Sequence, residues 1–427
     1  MQTKIAMLKE IIKELILHQQ EFIPSVELIR REVNFEPSGN YVLVGLRRAG
    51  KSYMLYQHIQ QLLREGHDKT EILFVNFEDE RISDIKKEDL HLLLECYREL
   101  FPHRPYIFLD EIQNVDGWEH FARRLADEKY HVFITGSNAH MLSREIATAL
   151  GGRYMMQEVH PFTFAEYLHY LDFSLQQHWD ISPQRADVVR LFDDYFNYGG
   201  FAESFPLVDK RQWLSSLYQK ILFADIVVRK GIRGEQGLSM LVRKIADSLM
   251  HPISVKRLQN IVQDEGPKIT RETVGNYLSF LRDAYLCFSI SNFHDTVKER
   301  ETLQKHYFHD NGLLTLFTLN ANPKLLENIV ALTLYHKWGC DLFYYKYNVE
   351  VDFYMPADNV AIQVAYDLND AETKRREVTA LATLNTFRPL DRALIITHHT
   401  EETIELGDLT VHVTPIWKWL LTQFCPK

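Results

Sequence analysis

Residues Gly45-Leu-Arg-Arg-Ala-Gly-Lys51-Ser52 complete the pattern G-x-x-x-x-G-K-[ST], and the sequence on either side decides how they are read. The apolar run Tyr41-Val-Leu-Val44 precedes them and a helix-like stretch from Lys51 to Leu63 follows. Strand, glycine loop and helix in that order are what separate a phosphate-binding loop from a chance match. Gly45 and Gly50 permit a tight turn in which successive backbone N–H groups face phosphate oxygens, and the helix N-terminus adds its positive dipole end. Lys51 is expected to reach the β- and γ-phosphates, and Ser52 to offer its hydroxyl to Mg2+. Arg48, Ala49 and Tyr53 belong with Gly45, Gly50, Lys51 and Ser52 to the expected nucleotide contacts.

Working outward, Tyr106-Ile-Phe-Leu-Asp110-Glu111 is an apolar run that ends in two carboxylates. A buried parallel strand delivering acids at its C-terminal end is what a Mg2+-dependent nucleotide hydrolase needs at that edge. Asp110 is expected to hold the metal and Glu111 to polarise the attacking water. His131-Val-Phe-Ile-Thr-Gly-Ser-Asn138 again sets polar side chains after a strand, making Ser137 or Asn138 a candidate γ-phosphate sensor. The strand from Glu71 ends in Glu78-Asp79, which reads either as a catalytic pair or as a solvated turn facing Arg81. Strand and helix signals alternate from Tyr41 to Gly136, predicting a parallel α/β sheet with crossover helices. Ile5, Leu8, Ile12, Leu15 and Ile16 fall at helical spacing and predict an amphipathic lead-in helix.

The length of 427 residues predicts several domains, and 46% hydrophobic with 25% charged residues is the balance of a globular protein. No apolar run reaches membrane-spanning length, and the first residues lack a secretory pattern, so a cytoplasmic address is expected. Cys96, Cys287, Cys340 and Cys425 have neither metal nor disulfide spacing, which fits a reducing compartment. A net charge of −10 argues against an overall nucleic-acid coat but leaves a local basic face open.

After Pro161 the pattern turns helical, with Phe162, Phe164, Tyr167, Leu191, Phe192 and Phe196 indicating a lid-like bundle punctuated by Tyr198-Gly-Gly-Phe201. Ile253 to Val262 followed by Thr270 to Leu281 reads as a helix-turn-helix within a winged helix. Thr270 would cap the second helix, and Val274, Tyr277, Leu278 and Leu281 would form its buried stripe. Lys256, Arg257, Lys268, Arg271 and Arg282 make it modestly basic, so DNA contact and protein docking stand level. In Lys305-His-Tyr-Phe-His-Asp310 the two histidines fall on opposite faces of a strand, which is not a zinc-binding arrangement. The remainder alternates strands near 341–345, 350–354 and 360–364, a helix over 370–384 and a strand at 392–396, an α/β module of its own. The expected segments are 1–39 lead-in, 40–160 phosphate-loop core, 161–235 lid, 236–300 winged-helix-like and 301–427 terminal module.

Taken together, these motifs resemble a prokaryotic family of AAA-type ATPases whose C-terminal domain is related to the PD-(D/E)XK restriction-endonuclease fold. The likeness rests on the loop, Phe77-Glu-Asp-Glu-Arg81, Leu109-Asp-Glu-Ile-Gln113, Ile134-Thr-Gly-Ser-Asn138, Leu150-Gly-Gly-Arg153, Pro161-Phe-Thr-Phe-Ala-Glu166, Tyr198-Gly-Gly-Phe201 and Phe308-His-Asp-Asn-Gly312. It implies binding and hydrolysis of ATP with Mg2+. It also implies that Arg153 or Arg144 supplies a guanidinium to the γ-phosphate, in the same subunit or across a homo-oligomer interface.

In the terminal module the resemblance places Glu327 and Asp352 at the first two acidic positions of a nuclease site and Gln363 and Ala365 at the third and fourth. A missing carboxylate weakens a hard-cation site and a missing lysine removes a charge from the reacting phosphate. The expectation is a degenerate nuclease fold kept for binding or architecture, with Lys374 or Arg375 as conceivable substitutes. The leading functional expectation is an ATPase acting as a nucleotide-driven switch on attached DNA- or protein-binding domains. An ATP-regulated nuclease of defence or mobile-element biology and a low-turnover ATP-binding scaffold are the alternatives.

Overall fold

The computed structural model describes residues 2–137, 141, 144–232, 234–319 and 321–422. The chain divides into two compact units. One runs to His160 and includes Asp283–Tyr285, and the other holds Pro161–Arg282 and Leu286 onward.

In the first unit, β1 (Tyr41–Val44), β2 (Ile72–Asn76), β3 (Tyr106–Asp110), β4 (His131–Gly136) and β5 (Met155–Glu158) form one sheet in the order β2-β3-β4-β1-β5. Every pairing is parallel. Parallel neighbours need crossover connections, and the helices Lys51–Arg64, His91–Leu100, Trp118–Asp127 and Arg144–Leu150 supply them. Strand β1 is buried at all its positions and β3 at all but its first, which is why both read as unbroken apolar runs. The lead-in helix spans Gln2–Ser25, buries Ile12, Leu15, Ile16 and Ile23, and sends the Gln20 amide to the Ile72 carbonyl at 2.8 Å. Register levels Val44 with Gly136 and Asn76 with Asp110, so the C-terminal strand ends share one edge.

The second unit contains β6 (Ile253–Ser254), β7 (Cys287–Asn292), β8 (Leu303–Phe308), β9 (Phe343–Lys346), β10 (Glu350–Met355), β11 (Val360–Val364), β12 (Arg392–Thr397), β13 (Glu402–Leu406) and β14 (Leu409–Pro415). They form a mixed sheet in the order β13-β14-β12-β11-β10-β9-β7-β8-β6. Strand β7 pairs antiparallel with β8 and parallel with β9, so strands of segments 236–300 and 301–427 lie in one sheet. The helices Phe164–Tyr170, Gln184–Tyr198 and Lys210–Lys220 follow Pro161, and the last continues into a π-helical stretch, Ile221–Val228.

Tyr198-Gly-Gly-Phe201 and Phe308-His-Asp-Asn-Gly312 turn out to be two halves of one device. The buried Asp310 carboxylate accepts the Gly200 N–H at 2.8 Å and the Gly312 N–H at 2.7 Å. Gly199 has φ 74°, and a Cβ there would stand 2.0 Å from Asp310 Oδ1, so both conformation and space require glycine.

Val274, Tyr277, Leu278 and Leu281 are buried on the helix Arg271–Asp283, and Thr270 accepts the Thr273 N–H at 3.0 Å at its start. The β13–β14 hairpin and the helix Ile416–Thr422 that follows it had no counterpart in the sequence reading.

Candidate functional site

The phosphate loop leaves the end of β1 through a glycine that no other residue could replace. Gly45 has φ 149°, and a Cβ at that position would lie 2.0 Å from the Val159 carbonyl oxygen. Gly50, at φ 97°, opens the helix Lys51–Arg64, and Arg48 between them is also left-handed at φ 66°. The Ala49 N–H closes onto the Leu46 carbonyl at 3.1 Å, and the Ala49 carbonyl accepts from Arg31 at 3.2 Å. Lys51 is 4% exposed, and its ammonium donates to the Gly45 and Leu46 carbonyls at 3.1 Å each. Tyr53 is 53% exposed, with its ring 5.6 Å from that of Tyr56.

The acids at the end of β3 face this loop. Ser52 Oγ donates to both Asp110 carboxylate oxygens, at 3.0 and 2.9 Å, and Thr135 Oγ donates to one of them at 2.5 Å. Burial, reinforced by the charge of Glu111, pushes the Asp110 carboxyl up to about 6 against those hydrogen bonds and Lys51.

Glu111 takes a left-handed conformation, φ 54°, a sparsely populated region for a residue other than glycine. One of its carboxylate oxygens accepts from Ser137 at 2.7 Å and lies 3.9 Å from the Lys51 ammonium, and the other accepts from Gln113. Burial alone would raise its pKa. Lys51, the hydrogen bonds from Ser137 and Gln113, and the charge of Arg47 outweigh that and hold it below the usual value.

Lys51, Ser52, Asp110, Glu111 and Ser137 are thus brought together, whereas Asn138 lies outside the described residues. Thr135, Gln113 and Arg47 join the cluster without having been singled out from sequence. Thr135 lay within a motif already quoted, but no local pattern shows that a threonine hydroxyl points at an acid on the next strand. Of the acids after β2, Asp79 pairs with Arg81 at 2.9 Å, while Glu78 meets Arg47 at 3.0 Å.

Arg153 stands away from the loop of its own chain. It precedes β5, whose Met155 is level with Tyr41 at the opposite end of β1 from the loop, a strand length of roughly 10 Å away. Its guanidinium pairs with Asp127 at 2.5 Å and with the Gly151 carbonyl at 3.0 Å. Arg144 begins the helix Arg144–Leu150, and its side chain lies outside the described residues.

In the second unit, Glu327 and Asp352 do converge, and a lysine stands between them that no motif indicated. Lys305, on β8 and fully buried, places its ammonium 3.1 Å from Asp352 and 3.5 Å from Glu327. Tyr307 donates to Glu327 at 2.7 Å. Burial pushes the Glu327 carboxyl up to about 7 against the pull of Lys305. Gln363 is occupied with backbone, accepting the Asp352 N–H at 2.8 Å and donating to the Glu350 carbonyl at 3.2 Å. A cavity of about 760 Å³ opens on Glu327, Asp352, Gln363, Arg375, Arg376 and Glu377. Arg375 borders this space, and Lys374 is paired with Glu402 at 2.6 Å.

A twisted parallel sheet, a glycine loop entering a helix, and strand-end acids define the first unit as an AAA-type phosphate-loop domain. Consistent with that, residues 38–168 match the family model described as an AAA domain, and residues 189–324 match one described as a domain of unknown function, DUF8612. The chain belongs to the family of the uncharacterized protein MJ1544 of Methanocaldococcus jannaschii, to which it is 32% identical over 97% of this chain and 96% of that one. An uncharacterized protein of Haemophilus influenzae is 30% identical over 77% of this chain and 82% of its own. Among solved structures, the Walker-type ATPase PABY2304 of Pyrococcus abyssi aligns at 13% identity and TM-score 0.38, covering 73% of this chain and 95% of that one. The Orc1 protein of Aeropyrum pernix, solved in complex with DNA, aligns at 15% identity and TM-score 0.30, covering 77% and 93%.

Proposed function

We propose that the first unit binds Mg2+-ATP and hydrolyses it, and that the cycle switches what the second unit holds. The observation that carries this reading is the convergence of Lys51, Ser52, Asp110 and Glu111 on one sheet edge beside a glycine-built loop. Ser52 and Asp110 offer hard oxygen donors side by side, a set that fits Mg2+. The ion would neutralise charge on the β- and γ-phosphates when bound. Backbone N–H groups from Gly45 to Ser52 cradle the phosphates, Lys51 exchanges its carbonyl partners for phosphate oxygens, and Glu111, oriented by Ser137 and Gln113, accepts the proton of the attacking water. Phosphate release tests the reading. Glu111→Gln should bind ATP and lose turnover, whereas an unmodified protein that binds ATP without releasing phosphate would be the scaffold.

The second unit supports DNA or protein contact. Three helices, Gln236–Ser248, Val255–Glu265 and Arg271–Asp283, combine with the antiparallel strands β6, β7 and β8 in a winged-helix order. One observation favours the nuclease as a second reading. Lys305 supplies, from another strand, the ammonium that position 365 lacks, beside two acids and an open cavity. Metal-dependent cleavage of DNA by the unmodified protein, abolished in Asp352→Ala, would establish it, and no cleavage with magnesium or manganese leaves the switch.

A further inference from the structure

We infer that Arg47 is the cation that meets the γ-phosphate within this chain, held on Glu78 until the triphosphate arrives. The inference rests on the reading of the loop as an ATP site.

Arg47 belongs to the loop after β1 and is 9% exposed, yet its guanidinium meets Glu78, two residues beyond the end of β2. Strands β4 and β3 lie between β1 and β2. At ~4.8 Å per strand spacing the pair bridges roughly 14 Å, and it does so across the strand ends that carry Ser137 and Asp110–Glu111. The guanidinium is therefore stationed over the edge where a γ-phosphate held by Lys51 would lie, and its charge is felt by the Glu111 carboxylate. Two other arginines of this unit have different duties. Arg31 donates to the Ala49 and His160 carbonyls, and Arg153 stands at the far end of the sheet.

Energetics favour an exchange of partners. Glu78 has a side chain 41% exposed against 10% for Arg47, so water can take over the carboxylate when the guanidinium turns to another anion. A phosphate bearing multiple charges offers a guanidinium two parallel charge-assisted hydrogen bonds, roughly twice as strong as neutral ones. In the reaction, the water oxygen forms its bond to the γ-phosphorus as the bridging P–O bond breaks. The bridging electron pair leaves with ADP, and the water proton passes to Glu111. Charge gathers on the transferring phosphoryl oxygens, and Arg47 N–H groups donate to them.

The test compares the unmodified chain with Arg47→Ala, Arg47→Lys and Glu78→Gln, each checked for folding by its melting transition. Turnover and the separate affinities for Mg2+-ATP and Mg2+-ADP are measured. Arg47→Ala should lower turnover by roughly 10³-fold and reduce ATP affinity while leaving ADP affinity in place. Arg47→Lys should recover part of both, and Glu78→Gln should raise the preference for ATP over ADP. Unchanged turnover and an unchanged ATP-to-ADP preference in Arg47→Ala would overturn the inference, as would an equal loss of both nucleotides, which marks a loop-folding role. If the unmodified chain binds no ATP, the ATP-site reading falls and the inference falls with it. If it binds ATP and Arg47→Ala is silent, only the inference falls.

Discussion

Ser52 and Asp110, 58 positions apart in the chain, are joined by a hydroxyl that donates to both oxygens of one carboxylate, at 3.0 and 2.9 Å. That contact unites the loop with the strand-end acid and pulls against the proton that burial favours. Asp110 titrates near 6, above its ordinary 3.8, chiefly because it is buried. Its ionised form therefore burdens the metal-free fold above that pH, and the burden vanishes as the pH falls. A divalent cation needs the ionised form, so protons compete with it. Mg2+-dependent ATP affinity should hold above pH 7 and weaken below pH 6, approaching about tenfold per pH unit. Calorimetric titration at several pH values checks this, and an Asp110→Asn variant should bind more weakly with that pH dependence removed.

Glu111 is fixed by Ser137, Gln113 and Lys51 rather than left to solvent. Glu111→Gln should lower phosphate release by roughly 10²- to 10⁴-fold with nucleotide affinity retained. Ser137→Ala should lower it less, since it loosens the base without removing it. Stopped-flow detection of phosphate beside equilibrium binding separates the two effects.

Gly45→Ala places a methyl group 2.0 Å from the Val159 carbonyl oxygen at a backbone angle, φ 149°, that L-residues avoid. The strain of the dihedral alone is about 1–3 kcal/mol, and the clash with backbone adds to it. Both the melting temperature and ATP affinity should fall, whereas Arg48→Gly, at φ 66°, should be tolerated by the fold.

Arg153 pairs with Asp127 and stands at the far end of β5. Arg153→Ala should leave turnover unchanged in dilute protein. A loss that emerges only at concentrations where copies associate would show that it acts on a neighbouring subunit, as sedimentation run beside the activity assay would reveal.

Lys305 lies buried between Glu327 and Asp352, and removing one partner of such a group leaves charge uncompensated. Lys305→Met should destabilise the second unit by about 3–5 kcal/mol near pH 8. Lys305 holds the Glu327 pKa down, so without it Glu327 takes its proton at a higher pH, and the penalty should be largest in alkali and smaller once Glu327 is protonated in both proteins. Thermal unfolding of both proteins at pH 8 and pH 5.5 provides the comparison.

Much of the first unit was legible because its signals are local. Gly45 and Gly50 mark backbone angles that other residues resist, and Asp110-Glu111 closes an apolar strand, so loop and acid could be read without knowing their separation. The stripe of Val274, Tyr277, Leu278 and Leu281 was readable for the same reason, since helical periodicity lies within one element. Lys305 was not legible, being 47 residues from Asp352 with nothing in its own strand to mark the pairing. Nor was the fusion of residues 236–300 with 301–427 into one sheet, because β7 meets β9 through a parallel pairing that leaves no trace in either strand.

The sequence by itself determined that a phosphate loop enters a helix, that acids end a buried strand, and that the chain alternates strand and helix, since these follow from steric limits and hydrophobic period over a few residues. Only the tertiary structure decided that Arg47 meets Glu78, which acids Lys305 joins, and that Asp310 braces the Gly199-Gly200 turn. Charge pairing acts through space between side chains far apart in the chain, so strand order and register, rather than sequence spacing, select the partners.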